Sequence, residues 1–246
     1  IMRKILAYPL TIIYFIFFGL LLLIFHPIQV ICYNVFGYNA HRISVALLNL
    51  GLTRCLHILG FTYSFNVPDH IPSDQPVIIV ANHQSMNDIP PIIWFMRKFH
   101  PKFISKKELG RGFPSVSYNL RVGGSVLIER KNPRQALTAI AAMANYIETH
   151  KRAVVIFPEG TRSRTGAPKP FQTKGLTVLF KKAPNAIVIP ITINNSYKTL
   201  PYGKFPMGIG HHITFTVHDY LKVKDYEAQD LIDKVEHTIT NAIKST

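Results

Sequence analysis

The hydrophobic pattern divides this chain into a long apolar N-terminal region and a longer region of short apolar runs. Residues 5–25 contain no charged side chain and are mostly Ile, Leu and Phe. A helix of that length spans about 31 Å, close to the hydrocarbon thickness of a bilayer. Beyond residue 60, short apolar runs alternate with helical patterns. The pattern therefore predicts membrane-anchoring hydrophobic helices over residues 1–60 and an α/β domain over residues 61–246.

Two local signals predict breaks within the hydrophobic region. His26-Pro27 should end the first helix, because proline lacks the backbone N–H that a helix interior needs. A second apolar stretch, Ile28–Phe36, ends at Gly37-Tyr38-Asn39, and Ile43–Leu59 follows with the pattern of an amphipathic helix. The sequence thus predicts a two-helix arrangement rather than one uninterrupted helix.

The positive charges of this region favour an anchor whose two ends lie on the same side of a membrane. Arg3 and Lys4 precede the apolar run, and Arg42 and Arg54 follow it. The positive-inside rule disfavours a single span with such flanks, so we expect a re-entrant or interfacial anchor with the main domain on the cytoplasmic side. A secretory signal is disfavoured by the length of the run and the lack of a small-x-small cleavage site. A helix buried in a soluble core is the remaining alternative.

Seven short β-branched or apolar runs predict the strands of the α/β domain. Helical patterns lie between them, which is typical of a mixed, largely parallel sheet flanked by helices. In such sheets ligands bind beyond the carboxyl ends of the strands. The predicted strands are Phe61–Val67, Val77–Ala81, Lys102–Ser105, Ser125–Glu129, Ala153–Phe157, Ile187–Ile193 and Ile213–Val217.

Two of the intervening helices have clear signatures. One begins at Asn132-Pro133, with Asn132 as the N-cap, Pro133 in the first helical position and Gln135 placed to close a capping box. The last helix covers roughly residues 226–242 and has an apolar face at helical spacing. That face comprises Leu231, Ile232, Val235 and Ile239.

Charge is concentrated in the middle third of the chain. The formal net charge is +15, and residues 97–182 carry 18 Lys and Arg against four Glu. Such a block attracts nucleic acid, an anionic membrane or phosphorylated substrates, and the neighbouring apolar region favours the membrane. Some of these cations form an ordinary solvated face. The two cysteines, Cys32 and Cys55, have no metal-binding spacing, so we expect free thiols and no metal site.

His83 and Asp88 are the candidate catalytic pair. They lie in Asn82-His83-Gln84-Ser85-Met86-Asn87-Asp88, directly after a predicted strand. A histidine held by a carboxylate takes a proton from an alcohol near neutral pH. Residues five apart lie on different faces of one helix, so contact requires a turn that leads into the helix at Ile89-Pro90. The plainer interpretation is an N-cap at Asp88 and a strand-end His83 bonded to backbone.

A second polar segment, FPEGTRS, follows the predicted strand that ends at Phe157. Gly160 permits a tight turn, and Thr161 and Arg162 offer a hydroxyl and a planar cation suited to a phosphate. Glu159 is placed to accept a bond from a substrate hydroxyl or to hold Arg162, or to form a structural ion pair. Arg130, which closes GGSVLIER, is a further phosphate candidate or an exposed surface arginine.

These tracts resemble, in order, the glycerolipid acyltransferases of the bacterial 1-acyl-glycerol-3-phosphate acyltransferase type. The resemblance rests on NHQSMND, GGSVLIERKN, FPEGTRSRTG and IVIPITINNS, together with the connecting KKEL and FQTKG, and it covers roughly residues 77–200. It implies acyl transfer from acyl-CoA or acyl-carrier protein to the sn-2 hydroxyl of lysophosphatidic acid. It also implies location at the bacterial inner membrane, with the catalytic domain on the cytoplasmic face.

The resemblance assigns roles to residues of this sequence. It implies His83 as general base and Asp88 as the carboxylate that orients it, with no cofactor and no metal required. It places Glu159, Gly160 and Thr161 in the substrate pocket. The cations implied to bind substrate are Lys106, Arg130, Arg162 and Lys174.

Two alternatives stay open. The acceptor is another lysolipid, such as a lyso-aminolipid or lysophosphatidylglycerol, or the chain is a non-catalytic membrane protein that binds anionic lipid or nucleic acid through residues 97–182. Arg130 and Arg162 favour an acidic phosphate headgroup over other lysolipids. The non-catalytic interpretation leaves the histidine–aspartate pair unexplained, and the basic region lacks the interleaved aromatic residues of a base-stacking surface.

Overall fold

An eight-stranded sheet forms the centre of the computed structural model, which describes residues 2–129, 131–203 and 205–244. All seven predicted strands are present, with bounds within about two residues of those expected; the eighth, of two residues, was missed. The strands are β1 Thr62–Asn66, β2 Val77–Ala81, β3 Lys102–Lys106, β4 Val126–Ile128, β5 Ala153–Ile156, β6 Ile187–Asn194, β7 His212–Val217 and β8 Leu221–Lys222.

The sheet is mixed and largely parallel, as predicted. Its order is β1-β7-β6-β2-β5-β3-β4, with β8 pairing beside β6. The pairs β1–β7, β6–β2, β2–β5, β5–β3 and β3–β4 are parallel, whereas β7 and β8 pair antiparallel to β6. The carboxyl ends of β2, β5 and β3 therefore lie side by side at one edge of the sheet.

Helices cover both faces of this sheet. The helices are α1 Met2–Cys55, α2 Ile89–Phe95, α3 Val116–Val122, α4 Pro133–His150, α5 Thr173–Lys182 and α6 Ala228–Asn241. In β2, Ile79 faces the core formed with α1 and α2, while Ile78 faces the core formed with α4, α5 and α6. Because both faces are covered, β2 has five buried residues in a row and no polar alternation.

The N-terminal hydrophobic region folds back on itself. Two helical segments within α1 meet at Gly37, whose φ of 78° and ψ of −169° are not helical and favour glycine. Leu22 from the first segment and Leu48 from the second belong to one apolar cluster. The break predicted at Gly37 is therefore present. The division into two domains at residue 60 stays a prediction.

The break predicted at His26-Pro27 is wrong, because α1 continues through Pro27. Tertiary bonds stabilise the helix next to the proline: Ser115 Oγ donates to the Leu22 carbonyl at 2.7 Å, and Ser115 N donates to His26 Nδ1 at 3.1 Å. Pro27 itself lies on the exposed side of the helix. A proline inside a helix removes one backbone hydrogen bond, and these contacts offset that loss.

One side of α1 is apolar and exposed. Residues 2–59 contain the one helix in the described part of the chain that is long and apolar enough to cross a membrane by length and composition. Residues on the opposite side, such as Ala7 and Tyr14, are buried against the α/β domain. The exposed large side chains include Ile5, Leu6, Ile12, Ile16, Phe17, Leu20, Leu23, Ile24, Ile31, Val35 and Phe36.

The helix signatures are confirmed with one correction. Asn132 caps α4 by accepting a bond from Gln135 N at 3.0 Å, and Pro133 is the first helical residue. The reciprocal half of the capping box is not formed, because Gln135 Oε1 accepts from Glu129 N at 2.8 Å instead. The apolar face predicted for the last helix is buried on α6.

Candidate active site

The polar segment after β2 is anchored to the neighbouring strand before it reaches His83. Asn82 exchanges two hydrogen bonds with the backbone of Ile193, through Ile193 N to Asn82 Oδ1 at 2.7 Å and Asn82 Nδ2 to the Ile193 carbonyl at 2.9 Å. Both residues are buried. The side chain of Asn82 thus continues the sheet by one residue, which fixes where the chain turns.

His83 and Asp88 are in contact across that turn. His83 Nδ1 lies 2.8 Å from Asp88 Oδ2, and the Asp88 side chain is fully buried. A short 3₁₀ turn, Met86–Asp88, leads into α2 and brings the pair together. The turn required by the five-residue spacing is therefore present. The catalytic role of the pair stays a prediction.

Asp88 fixes the tautomer of His83. Its Oδ2 also accepts from Gln84 N at 2.7 Å and Ser85 N at 2.9 Å, so this oxygen acts as an acceptor and His83 Nδ1 carries the donated hydrogen. The His83 ring stacks on Phe157, with the two centroids 4.2 Å apart and the planes 19° from parallel. Nε2 is then the basic nitrogen, and within the described residues it has no hydrogen-bond partner. This edge of the ring is free to meet a substrate hydroxyl.

The FPEGTRS segment holds the backbone of His83. His83 N donates to Glu159 Oε1 at 3.0 Å, and Ser163 N donates to the His83 carbonyl at 2.7 Å. Glu159 is only 3 % exposed, and burial raises the pKa of its carboxyl. Its Oε2 and Ser163 Oγ are buried without a partner among the described residues. Glu159 therefore positions the histidine and retains one oxygen for another contact.

Gly160 and Arg162 have different environments within this segment. Gly160 has a φ of +69°, a left-handed conformation that glycine adopts at least cost, and a Cβ there would lie 2.6 Å from Gln172 Nε2, so a larger residue would require the Gln172 amide to move. Thr161 and Arg162 are exposed, and the Arg162 carbonyl accepts from Lys169 Nζ at 3.0 Å. In the described part of the chain, Arg162 and Glu159 form no ion pair. The alternative in which Glu159 holds Arg162 is therefore not observed.

The remaining predicted cations lie on elements that end or begin at the same edge. Lys106 is the last residue of β3, beside β5, and is exposed. Lys174 is exposed in the first turn of α5. The residue before this helix, Gln172, is tied to the FPEGTRS segment because its backbone N donates to the Pro158 carbonyl at 2.9 Å. Arg130 lies outside the described residues. Among the described residues, no three His, Cys, Asp or Glu side chains form a metal-binding group, and the expectation of a metal-free site stays a prediction.

Several buried polar residues that the sequence did not identify hold the turn between His83 and Asp88. Gln84 Oε1 accepts from Ser196 N at 3.0 Å, and Ser85 Oγ lies 2.8 Å from Thr199 Oγ1. From α1, Tyr14 Oη donates to Asn87 Oδ1 at 3.2 Å. The available signal was the density of polar residues in NHQSMND directly after a fully apolar strand, since buried polar side chains require partners.

Comparisons with known proteins show which family the chain belongs to. The Acyltransferase family model matches residues 64–194, which is more than half of the chain. A 1-acyl-sn-glycerol-3-phosphate acyltransferase of Chlamydomonas reinhardtii is 30% identical over 172 residues, covering 70% of this chain and 50% of that protein. A protein of the same description from Borreliella burgdorferi is 25% identical over 207 residues, covering 83% of this chain and 80% of that protein.

A solved structure shares the fold. The crystal structure of the 1-acyl-sn-glycerophosphate acyltransferase PlsC from Thermotoga maritima has a TM-score of 0.65 and 24% sequence identity, over 92% of this chain and 94% of that chain. The chain spans about half the length of the first curated relatives it matches. Because the family model covers more than half of the chain, including the segments that contain His83, Asp88 and Glu159, this chain belongs to the acyltransferase family.

Proposed function

We propose that this chain transfers a fatty acyl group from acyl-CoA or acyl-carrier protein to the sn-2 hydroxyl of lysophosphatidic acid, giving phosphatidic acid. The observation that carries the proposal is the 2.8 Å contact between His83 Nδ1 and a fully buried Asp88, with Nε2 left open. An alcohol needs a base at the moment of attack, and this imidazole meets that need. The names of the relatives support the choice of acceptor.

The proposed reaction needs no covalent acyl-enzyme, because the substrate supplies the nucleophile. His83 Nε2 removes the proton as the hydroxyl oxygen attacks the thioester carbonyl carbon, and a tetrahedral intermediate forms. Asp88 stabilises the resulting imidazolium. The carbon–sulfur bond then breaks, and the thiol leaves with the proton that the imidazolium returns. The products are the new ester and the free thiol of the donor.

The cations at the carboxyl edge support an acceptor with a phosphate headgroup. Arg162 follows the residues that hold His83, and its guanidinium is exposed. Lys106 is the exposed last residue of β3, and Lys174 is exposed in the first turn of α5, the helix that follows that segment in the chain. A guanidinium binds a phosphate through two parallel hydrogen bonds, which fixes its orientation relative to the base. Arg130 completes this proposed set from the sequence.

We further propose that α1 seats the enzyme on the membrane that contains its lipid substrate. Its exposed side chains, such as Phe17 and Leu23, form one apolar side, while Tyr14 on the other side bonds to the catalytic turn. An exposed apolar helix side next to a folded domain is suited to insertion into the bilayer interface. The flanking Arg and Lys residues favour the cytoplasmic face of a bacterial inner membrane.

A purified-enzyme assay tests the proposal directly. The full chain is offered labelled acyl-CoA or acyl-carrier protein with lysophosphatidic acid, lysophosphatidylglycerol or a lyso-aminolipid, and His83→Ala serves as the matched inactive control. We expect phosphatidic acid from lysophosphatidic acid only with the unmodified histidine. Faster acylation of another lysolipid would overturn the acceptor. Liposome binding without any acyl product would overturn acyl transfer.

A further inference from the structure

A cationic cleft lies at the opposite edge of the sheet from His83. It is a small cleft with a cavity volume of about 30 Å³, and it lies between the second segment of α1 and the start of β3. Lys102 is the first residue of β3, and β3, β5 and β2 run parallel. The amino end of β3 is therefore about 15 Å, one strand length, from His83 and the other residues that follow β2. Its polar lining includes His41, Arg42, Arg97, His100, Lys102 and Asn119.

Lys102 is buried in this cleft without an anionic partner. Its side chain is 6 % exposed, and its Nζ lies 4.8 Å from the ring centroid of Tyr38. Arg152 lies over the same ring, with Cζ 4.0 Å from the centroid. Within the described residues, the Lys102 ammonium forms neither a salt bridge nor a hydrogen bond. A buried ammonium needs hydrogen-bond acceptors, and a tyrosine ring replaces them only in part.

Arg42 gives a second, independent sign of an anion-binding site. Its Nε is buried and has no hydrogen-bond partner among the described residues, and its Nη1 reaches only the Arg97 carbonyl, at 3.5 Å. Ser125 Oγ, which also lines the cleft, accepts from Phe103 N at 3.1 Å and so keeps its own hydrogen to donate. The cleft therefore presents donors from three different elements.

The charges around Lys102 are all positive or neutral. Burial, Arg152 and Arg42 lower its pKa to about 7. The pKa of His100 is lowered to about 4 by its own burial and by repulsion from Arg42, Arg152 and Lys102. This imidazole is therefore neutral near pH 7. The other titratable or charged groups that face the cluster are Tyr38, His41, Arg97 and Tyr146. An entering anion would offset the repulsion between these cations.

We propose that this cleft binds a phosphate-bearing anion through Lys102, Arg42 and Ser125, at a site separate from the acyl-transfer centre. A tetrahedral oxyanion accepts several charge-assisted hydrogen bonds at once, which matches the donors that lack partners. The source is a lipid headgroup or a free phosphate. The cleft adjoins the Gly37 turn and the exposed apolar side of α1, where a headgroup would lie if that side sits in a membrane. The site does not depend on the proposed acyl transfer.

Calorimetric titration of the detergent-solubilised full chain with sodium sulfate tests the site. Sulfate is a tetrahedral dianion that does not titrate near neutral pH, and sodium chloride holds the ionic strength constant. Arg162→Ala serves as the background, so that a second anion at the acyl-transfer centre does not contribute. We expect saturable binding that takes up about half a proton at pH 7, because an anion favours the charged form of Lys102.

Matched variants locate the binding. Lys102→Met should abolish the proton uptake and weaken sulfate binding at least about tenfold, and Arg42→Gln should also weaken it. Lys98→Met makes the same charge change at an exposed position nearby and should leave binding unchanged. The single tryptophan, Trp94, lies against Arg97 at the cleft and gives a fluorescence readout of the same titration. Absence of saturable binding, or equal binding by Lys102→Met, overturns the proposal.

Vesicle flotation then separates the two sources of the anion. Vesicles of phosphatidylcholine are compared with vesicles that also contain phosphatidylglycerol, using the Lys102→Met and Lys98→Met variants. If a lipid headgroup occupies the cleft, Lys102→Met loses more of its preference for the anionic vesicles than Lys98→Met does. If the ligand is free phosphate, both variants bind these vesicles equally while their sulfate affinities still differ. Either result supports the anion site and identifies its source.

Discussion

The two edges of the sheet carry cations in opposite situations. At the carboxyl edge Arg162, Lys106 and Lys174 are exposed, and the backbone N–H and Nδ1 of His83 at this edge are both hydrogen-bonded within the chain. At the amino edge the Lys102 side chain is buried and forms no salt bridge among the described residues, and the buried Arg42 Nε has no hydrogen-bond partner among them. Exposed cations keep their water and cost little, whereas buried cations without an anion destabilise the fold. The His83 donors are thus paired within the chain, whereas the Lys102 and Arg42 donors at the amino edge are available to the proposed anion.

This difference predicts different responses to mutation. At the carboxyl edge, each hydrogen bond around His83 fixes the position of one basic nitrogen, so substitutions there should reduce turnover more than stability. At the amino edge, removing the charge of Lys102 removes a repulsion, so the protein should become more stable while losing its anion response. Measurements of activity and stability on the same variants separate the two behaviours.

The largest expected effect is on turnover when the histidine–aspartate pair is broken. His83→Ala and Asp88→Ala should each lower kcat by about 10²–10⁴-fold, because general-base catalysis contributes that much. The double variant should be little worse than His83→Ala, since the two residues act as one unit. Steady-state assays with saturating donor measure both. Full activity in His83→Ala, or multiplicative losses in the double variant, would contradict the proposed base.

A smaller loss is expected when the backbone of His83 is released. Glu159→Ala leaves His83 N buried without an acceptor, which costs about 1–3 kcal/mol. We expect kcat to fall by about tenfold or more in Glu159→Ala, whereas Glu159→Gln keeps an acceptor oxygen and stays near the wild-type kcat. Circular dichroism confirms that both variants fold.

Acceptor KM in Glu159→Gln decides what the second oxygen does. If Oε2 of Glu159 accepts a hydrogen bond from a substrate hydroxyl, the Glu159→Gln variant should have a higher acceptor KM and an unchanged kcat, because the amide nitrogen that replaces this oxygen cannot accept. An unchanged KM means that Glu159 acts by positioning His83 alone, and the predicted contact with the glycerol pocket is then wrong.

The sequence predicted local features of this edge better than the contacts that connect them. The spacing of His83 and Asp88 predicted the turn between them. The strand β2 could be predicted because five consecutive apolar residues precede the polar segment. Ser163 and Gln84 were missed because their partners are 80 or more residues away in the sequence, where only the sheet order brings them close. The helix end predicted at Pro27 is wrong because hydrogen bonds from Ser115, which is distant in sequence, stabilise the helix beside the proline. Non-local contacts leave no periodic signal.

At the same edge, Arg162→Lys tests whether a planar cation orients the acceptor. Lysine keeps the charge but loses the paired hydrogen bonds of the guanidinium. We expect acceptor KM to rise by about tenfold and donor KM to stay constant, measured with each substrate varied at saturation of the other. Lys181→Met, an exposed charge change at the far end of α5, is the control. An equal rise in both KM values would argue against a phosphate contact at Arg162.

The smallest effect, with the opposite sign, is expected at the amino edge. Lys102→Met should raise the free energy of unfolding by ~1 kcal/mol, or a few degrees in Tm, at pH 7 in chloride buffer. The folded state lowers the Lys102 pKa from 10.5 to about 7, so in that interval the unfolded chain holds a proton that the folded chain does not. The contribution of Lys102 to wild-type stability therefore rises with pH from about 7 to 10.5, and the advantage of Lys102→Met shrinks over the same range.

Thermal unfolding of the two proteins across that pH range, with and without sulfate, separates this outcome from a simple packing change. In the Arg162→Ala background, sulfate should stabilise the protein with Lys102 more than the one with Lys102→Met at pH 7, because an anion that binds only the folded state adds to its stability. A methionine variant that is less stable at every pH would mean that Lys102 packs as a neutral side chain. The contrast between the two edges of the sheet would then rest on exposure alone, with no anion needed to explain it.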